Sequence, residues 1–295
     1  MPDRAPSVPW GGGPLNRGWL LGLGEAVAPA LSQRVSRALA ESLAEAYAAH
    51  VPEARRALAS NLRGAFPGLP PGGPEELAVR TLRAYARGVS DYLRASADPP
   101  RVFPQSPEAS KRIASKGGKV LVTAHLGNWE VGGAFLAESV GPHWILGFPE
   151  PDPGLERFRS RRRERQGHRY LPADAVLQAL PALRSSLERG ESAVVLADRA
   201  LGRDRAPVAF RGRPAHFLRS PALLASLAGV PLVPVAVMAE EDGTYTAWVG
   251  EPAWCGGDDG SVRAALQGTA DFFGAVLERY PDQWYTFYPY WQEGP

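Results

Sequence analysis

Apolar residues recur at every fourth position from Leu15 through Trp19, Leu23, Val27, Leu31, Val35, Leu39, Leu43 and Tyr47. On a turn of 3.6 residues this spacing predicts helix, with an apolar stripe that drifts slowly round the axis. Pro29 interrupts the run and predicts two helices, with Pro29 suited to the first position of the second. The ordinary meaning of such a stripe is a core-facing seam. Trp10 and Trp19 at its start also suit a face that lies in a membrane interface. Residues 52–66 and 74–97 predict two more helices, separated by the turn-rich PGLPPGG at 67–73, and Asp98-Pro99-Pro100 closes this helical third.

The texture then changes. Residues 120–124, 192–197 and 232–238 are short runs rich in β-formers, and 176–189 and 220–228 between them have helical composition. Strands alternating with helices predict an α/β fold: a largely parallel mixed sheet flanked by helices, preceded by the N-terminal helical region. The expected organisation is a flexible N-terminus at 1–14, a helical region at 15–98 and an α/β core at 99–295.

With 295 residues, 44% hydrophobic and 22% charged, the chain can bury a sizeable core without covalent staples. Its single cysteine, Cys255, excludes a disulfide framework, a Cys-based zinc site and a dithiol redox pair, and no metal is implied. The net charge of +2 argues against a general nucleic-acid binder. No apolar run reaches the roughly 20 residues of a membrane span, and the N-terminus is a poor secretory signal. The expected location is therefore cytoplasmic, with attachment to a membrane face left open.

The most informative stretch is VLVTAHLGNWEVGG at 120–133. A buried strand ends at Ala124 and puts His125 at its C-terminal tip, where open α/β sheets bind ligands. Asn128 suits the N-cap of a helix beginning at Trp129, and Glu130 falls in the first turn, where the helix dipole favours a carboxylate. An imidazole oriented by a nearby carboxylate is the arrangement of a general base acting on a hydroxyl. By itself, one His and one Glu five apart is a weak signal, and a lone His at a strand end is more often an ordinary hydrogen-bonded residue. His50, His143, His168 and His216 lie in no comparable setting and read as structural.

The segment HLGNWE resembles the His-x-x-x-x-acid signature of the bacterial lipid A biosynthesis acyltransferases, a branch of the glycerolipid acyltransferase superfamily, which the phosphatidylinositol mannoside acyltransferases share. Further blocks are similar in order: NLRGAFP at 61–67, AVVLADRALG at 193–202, FRGRPA at 210–215, LAGVPLVP at 227–234 and the aromatic ending at 281–291. The resemblance implies transfer of a fatty acyl chain from an acyl carrier protein or coenzyme A thioester to a hydroxyl of a lipid acceptor such as a lipid A precursor or a glycolipid. No cofactor beyond that co-substrate is implied. His125 would be the general base and Glu130 its orienting carboxylate, with oxyanion donors sought among the amides of Gly127 and Asn128. Asn128, Arg163, Asp198, Arg199 and Glu150 are candidate substrate-binding residues, Asp198 to hold an arginine or a sugar hydroxyl. Transfer is direct, so Cys255 need not take part.

The arginine run at 157–165 reads as a solvated helix face, or as a docking surface for an acidic carrier protein or anionic head groups. The aromatic C-terminal segment predicts a last strand with one face on the core. Family members often begin with a membrane span; its absence here implies peripheral contact with the cytoplasmic face of the inner membrane. The competing readings are a thioesterase or lipid hydrolase using the same histidine, and a non-enzymatic module that binds lipid or carrier protein.

Overall fold

The computed structural model describes residues 17–50, 52–200 and 202–291; Leu15 and the whole expected flexible segment 1–14, with Trp10, lie outside them. The N-terminal region is four helices: α1 (Gly18–Val27), α2 (Gln33–His50), α3 (Pro52–Ala65) and α4 (Gly73–Arg94). The break at Pro29 is real, but Pro29 sits in a 3-10 turn (Ala28–Ala30) and α2 starts only at Gln33. The four-residue stripe is not a core seam. Trp19 is 71% exposed and Leu43 64%, and Leu23, Val27, Val35 and Leu39 are exposed with them. Instead, α2 packs on α4 through polar and small residues, with Ser36 Oγ 2.7 Å from Ser90 Oγ and Arg37 paired to the buried Asp91.

The rest of the chain runs β1 (Val102–Pro104), α5 (Pro107–Ala114), β2 (Lys119–Thr123), α6 (Trp129–Val140), β3 (His143–Gly147), α7 (Pro153–Arg165) and β4 (Arg169–Pro172). It continues with α8 (Val176–Glu188), β5 (Ser192–Leu196), a hairpin of β6 (Ala206–Phe210) and β7 (Arg213–Phe217), α9 (Ser220–Ala228), β8 (Leu232–Ala239), β9 (Tyr245–Val249) and α10 (Asp259–Arg279). Seven strands form one sheet in the order β1-β9-β8-β2-β5-β3-β4, parallel throughout except between β8 and β9. The predicted mixed, largely parallel sheet flanked by helices is thus observed. β2 and β5 are buried along nearly their whole length, as befits central strands covered on both faces.

The C-terminal segment is not a strand. After α10 the chain runs irregularly across the tip of the sheet, joined to it by a backbone bridge between Trp284 and Leu126 and by the Gln283 side chain on Ala239 of β8. Its backbone polar groups are served instead by Asn61 of α3, whose Nδ2 donates to the carbonyls of Thr286 (2.9 Å) and Tyr288 (2.7 Å) while its Oδ1 accepts from Tyr290 N (2.9 Å). A buried asparagine can satisfy a strap that no neighbouring strand pairs.

Candidate active site

The central strands β2 and β5 pair in parallel with Thr123 opposite Leu196, so two residues further on His125 and Asp198 stand side by side at adjacent tips. Asp198 holds both parts of His125: Oδ2 accepts from the His125 backbone N–H (3.0 Å) and Oδ1 lies 2.8 Å from Nδ1. A carboxylate accepts only, so Nδ1 carries the proton and the neutral ring presents the lone pair of Nε2 away from Asp198. The His125 side chain is 21% exposed and that of Asp198 1%, so the imidazole is reachable while its carboxylate stays dry. Trp129 meets the imidazole edge to face, centroids 5.5 Å apart.

This pairing corrects two expectations. Asp198, and not Glu130, is the carboxylate bonded to His125; and among the described residues no arginine is paired with Asp198. Glu130 bonds instead to Arg163 (Nη2 to Oε1, 3.3 Å), with Arg159 Nε at 4.0 Å. Burial pushes the Glu130 carboxyl up, but Arg163, Arg159 and Arg162 outweigh it and leave the group below its usual value. Asn128 is the N-cap of α6 as predicted, accepting from Val131 N (3.2 Å), and its Nδ2 donates to the Gly88 carbonyl (2.9 Å) and to the Tyr245 hydroxyl (3.3 Å). Its side chain ties α6 to α4 and is not among the residues that line the cavity into which His125 opens. The amides of Gly127 and Asn128 are also committed, to the carbonyls of Gln283 (2.9 Å) and Val237 (2.8 Å), and supply no oxyanion donor. Gly127 is required at this turn: its φ is +60° and a Cβ there would stand 2.1 Å from the Val237 carbonyl oxygen.

His125 opens into a cavity of about 1130 Å³ that draws its wall from α6 and α7 on one side of the sheet and from α8 and α9 on the other. Glu130, Glu150, Arg159, Arg163 and Arg199 all line it, so four of the sequence-derived candidates besides His125 are brought together there. Glu150 is bonded by Arg159, and Arg199 lies over the Tyr288 ring, 4.9 Å from its centroid. Most of the wall is apolar, and Phe148, Leu177, Leu223 and Leu227 are at once wall residues and solvent-exposed, which gives the cavity a greasy rim. No residue of the aromatic C-terminal segment belongs to the wall; Trp284 and Tyr285 are core, and Tyr285 N donates to the His125 carbonyl (2.8 Å).

The arginine run divides by helical phase. Arg157, Arg161 and Arg165 are exposed at a spacing of four, whereas Arg159, Arg162 and Arg163 turn inward. Arg162 is buried between Glu25 of α1, the Tyr92 carbonyl (2.6 Å) and the Tyr92 ring. Arg163 also faces Tyr170, 5.1 Å from the ring centroid. Half of the expected docking surface is therefore an internal ion-pair network that fixes α7 to α1 and α6. Gly18 allows the close approach, since a Cβ there would stand 2.1 Å from the backbone of Gly154.

The profile of the family described as "Bacterial lipid A biosynthesis acyltransferase" matches residues 17–293. A phosphatidylinositol mannoside acyltransferase of Mycolicibacterium smegmatis is 29% identical over 232 residues, covering 76% of this chain and 75% of the relative. Its namesake in Mycobacterium tuberculosis is 26% identical over 235 residues, covering 76% and 73%. The chain belongs to the bacterial lipid A biosynthesis acyltransferase family, and a lipid acyltransferase is the activity that these matches support.

Proposed function

We propose that this protein transfers a fatty acyl chain from an acyl carrier protein or coenzyme A thioester to a hydroxyl of a lipid or glycolipid acceptor, at a membrane surface. The observation that carries the reading is the His125–Asp198 pair at the mouth of a large apolar cavity. Nε2 of His125 takes the proton of the acceptor hydroxyl as its oxygen attacks the thioester carbonyl. The resulting tetrahedral intermediate collapses with expulsion of the thiolate, which takes a proton from the imidazolium. Asp198 keeps the ring in the tautomer that can accept, and stabilises the imidazolium while it lasts. Glu130 is a positioning residue that holds Arg163 at the cavity wall, where its guanidinium suits a phosphate of the donor or acceptor. Holding the two substrates together supplies much of the remaining acceleration.

Among the described residues no helix is long and apolar enough to cross a membrane. Peripheral attachment is supported by the exposed stripe of α1 and α2, the exposed arginines of α7 and the apolar rim of the cavity. The decisive experiment is His125→Ala assayed with acyl donor and a total lipid extract. Loss of acyl transfer on the order of 10²–10⁴-fold, with folding and vesicle binding retained, is expected. Unchanged transfer overturns the reading, and transfer to water alone in the unaltered protein identifies a hydrolase.

A further inference from the structure

Two histidines that the chemistry above does not use face the same cavity. His143 begins β3 and His168 immediately precedes β4; the two neighbouring parallel strands bring the rings to 4.0 Å between centroids. Both are buried, at 0% and 3% exposure, and both belong to the cavity wall on the α6–α7 side. Gly133, on the second turn of α6, faces them closely: a Cβ there would come to van der Waals contact with His168 Nε2, 3.8 Å away.

Their hydrogen bonding is incomplete in a specific way. His143 Nδ1 lies 3.2 Å from the Gly141 carbonyl, which can only accept, so the neutral ring carries its lone pair on Nε2. That Nε2 has no partner among the described residues, and neither nitrogen of His168 has one. A buried polar atom left unpaired is costly, so unpaired imidazoles in a ligand cavity select for a guest that pairs them. The side chains nearest in charge, Arg163 and Glu130, are occupied with each other, and burial holds both imidazoles in the neutral form, with His168 pushed down to about 4. The pair thus offers an acceptor on His143 and one donor and one acceptor on His168. The smallest group that answers this is a hydroxyl, which donates to His143 Nε2 and accepts from the N–H of His168.

We infer that His143 and His168 form a hydroxyl-binding subsite within the largely apolar cavity, which makes the protein selective for hydroxyl-bearing lipids. The inference rests on the lipid-handling reading of the cavity, but not on transfer. The hydroxyl has two possible sources, the acyl chain or a sugar head group, and the test separates them.

Binding is read by calorimetry on the full chain, without turnover. One arm compares hexadecanoic acid with its isomers carrying a hydroxyl at successive carbons; the other compares an alkyl glucoside with the alkyl alcohol of equal length. We expect at least one hydroxyl-bearing ligand to bind about tenfold more tightly than its plain counterpart. His168→Phe and His143→Phe should abolish that preference while leaving the plain ligand's affinity within about twofold. Gly133→Ala, which leaves both histidines in place, should narrow the subsite and weaken the preference. Equal affinities for plain and hydroxylated ligands in both arms overturn the inference, as does a preference that survives both histidine variants. Should the unaltered protein show the preference yet never transfer an acyl chain, the acyltransferase reading fails and the subsite stands.

Discussion

At the tips of β2 and β5 polar side chains are buried, and along α1 and α2 apolar side chains are exposed. Both regions invert the usual distribution, and the inversions are resolved differently. Asp198 is dry but fully partnered by His125. Trp19, Leu23 and Leu43 are exposed and have no partner within the described residues. A satisfied buried charge is complete within one chain, whereas an unpartnered apolar stripe calls for a surface outside it. On the proposed function, the tips carry the chemistry and the helices the contact with a membrane surface.

Asp198→Asn strikes the first region and should have the largest effect. The amide can no longer hold Nδ1–H as a carboxylate does, so acyl transfer should fall on the order of 10²–10⁴-fold, with the far-UV circular dichroism unchanged. The second region is broken by combining Trp19→Ser, Leu23→Ser and Leu43→Ser. At about 1 kcal/mol for each partly inserted side chain, vesicle binding should weaken roughly a hundredfold, read by co-sedimentation, while turnover of detergent-solubilised acceptor persists.

Glu130→Gln sharpens the distinction between base and positioning residue. Arg163 and Arg159 lose their shared counter-charge, so KM should rise about tenfold while the pH profile of kcat keeps its shape. A collapse of kcat as deep as that of Asp198→Asn would make Glu130 part of the proton-transfer machinery.

The smallest effect is on stability against pH. The unfolded His168 protonates near 6.5, whereas in the fold burial first, and then the neighbouring His143 and the charge of Arg163, push it down to about 4. Between these values the unfolded chain binds more protons, so stability present above about pH 6.5 is lost as pH falls towards about 4. The melting temperature should drop by a few degrees across this window beyond the general acid effect, and His168→Phe should flatten the slope.

The strand that presents His125, the turn after it and the capping of α6 by Asn128 were all legible, because each depends on neighbours in sequence. The partner of His125 was not: Glu130 is five residues away and Asp198 seventy-three, and only the parallel register of β2 with β5 makes the distant carboxylate the near one. The same holds for His143 and His168, ordinary in sequence until β3 and β4 pair. The stripe of α1 and α2 was legible as helix but not as surface, since periodicity fixes which residues share a face and says nothing of what that face meets.

Local pattern by itself determined the α/β class, the mixed parallel sheet and the acyltransferase signature, because these follow from short-range periodicity, turn chemistry and blocks of adjacent residues. Tertiary structure alone decided that Asp198 is the carboxylate bonded to His125, that Glu130 pairs with the arginines of α7, and that the N-terminal stripe faces outward. The physical reason is that hydrogen bonds and burial act over a few ångströms in space, and which residues come that close is set by strand order and helix packing.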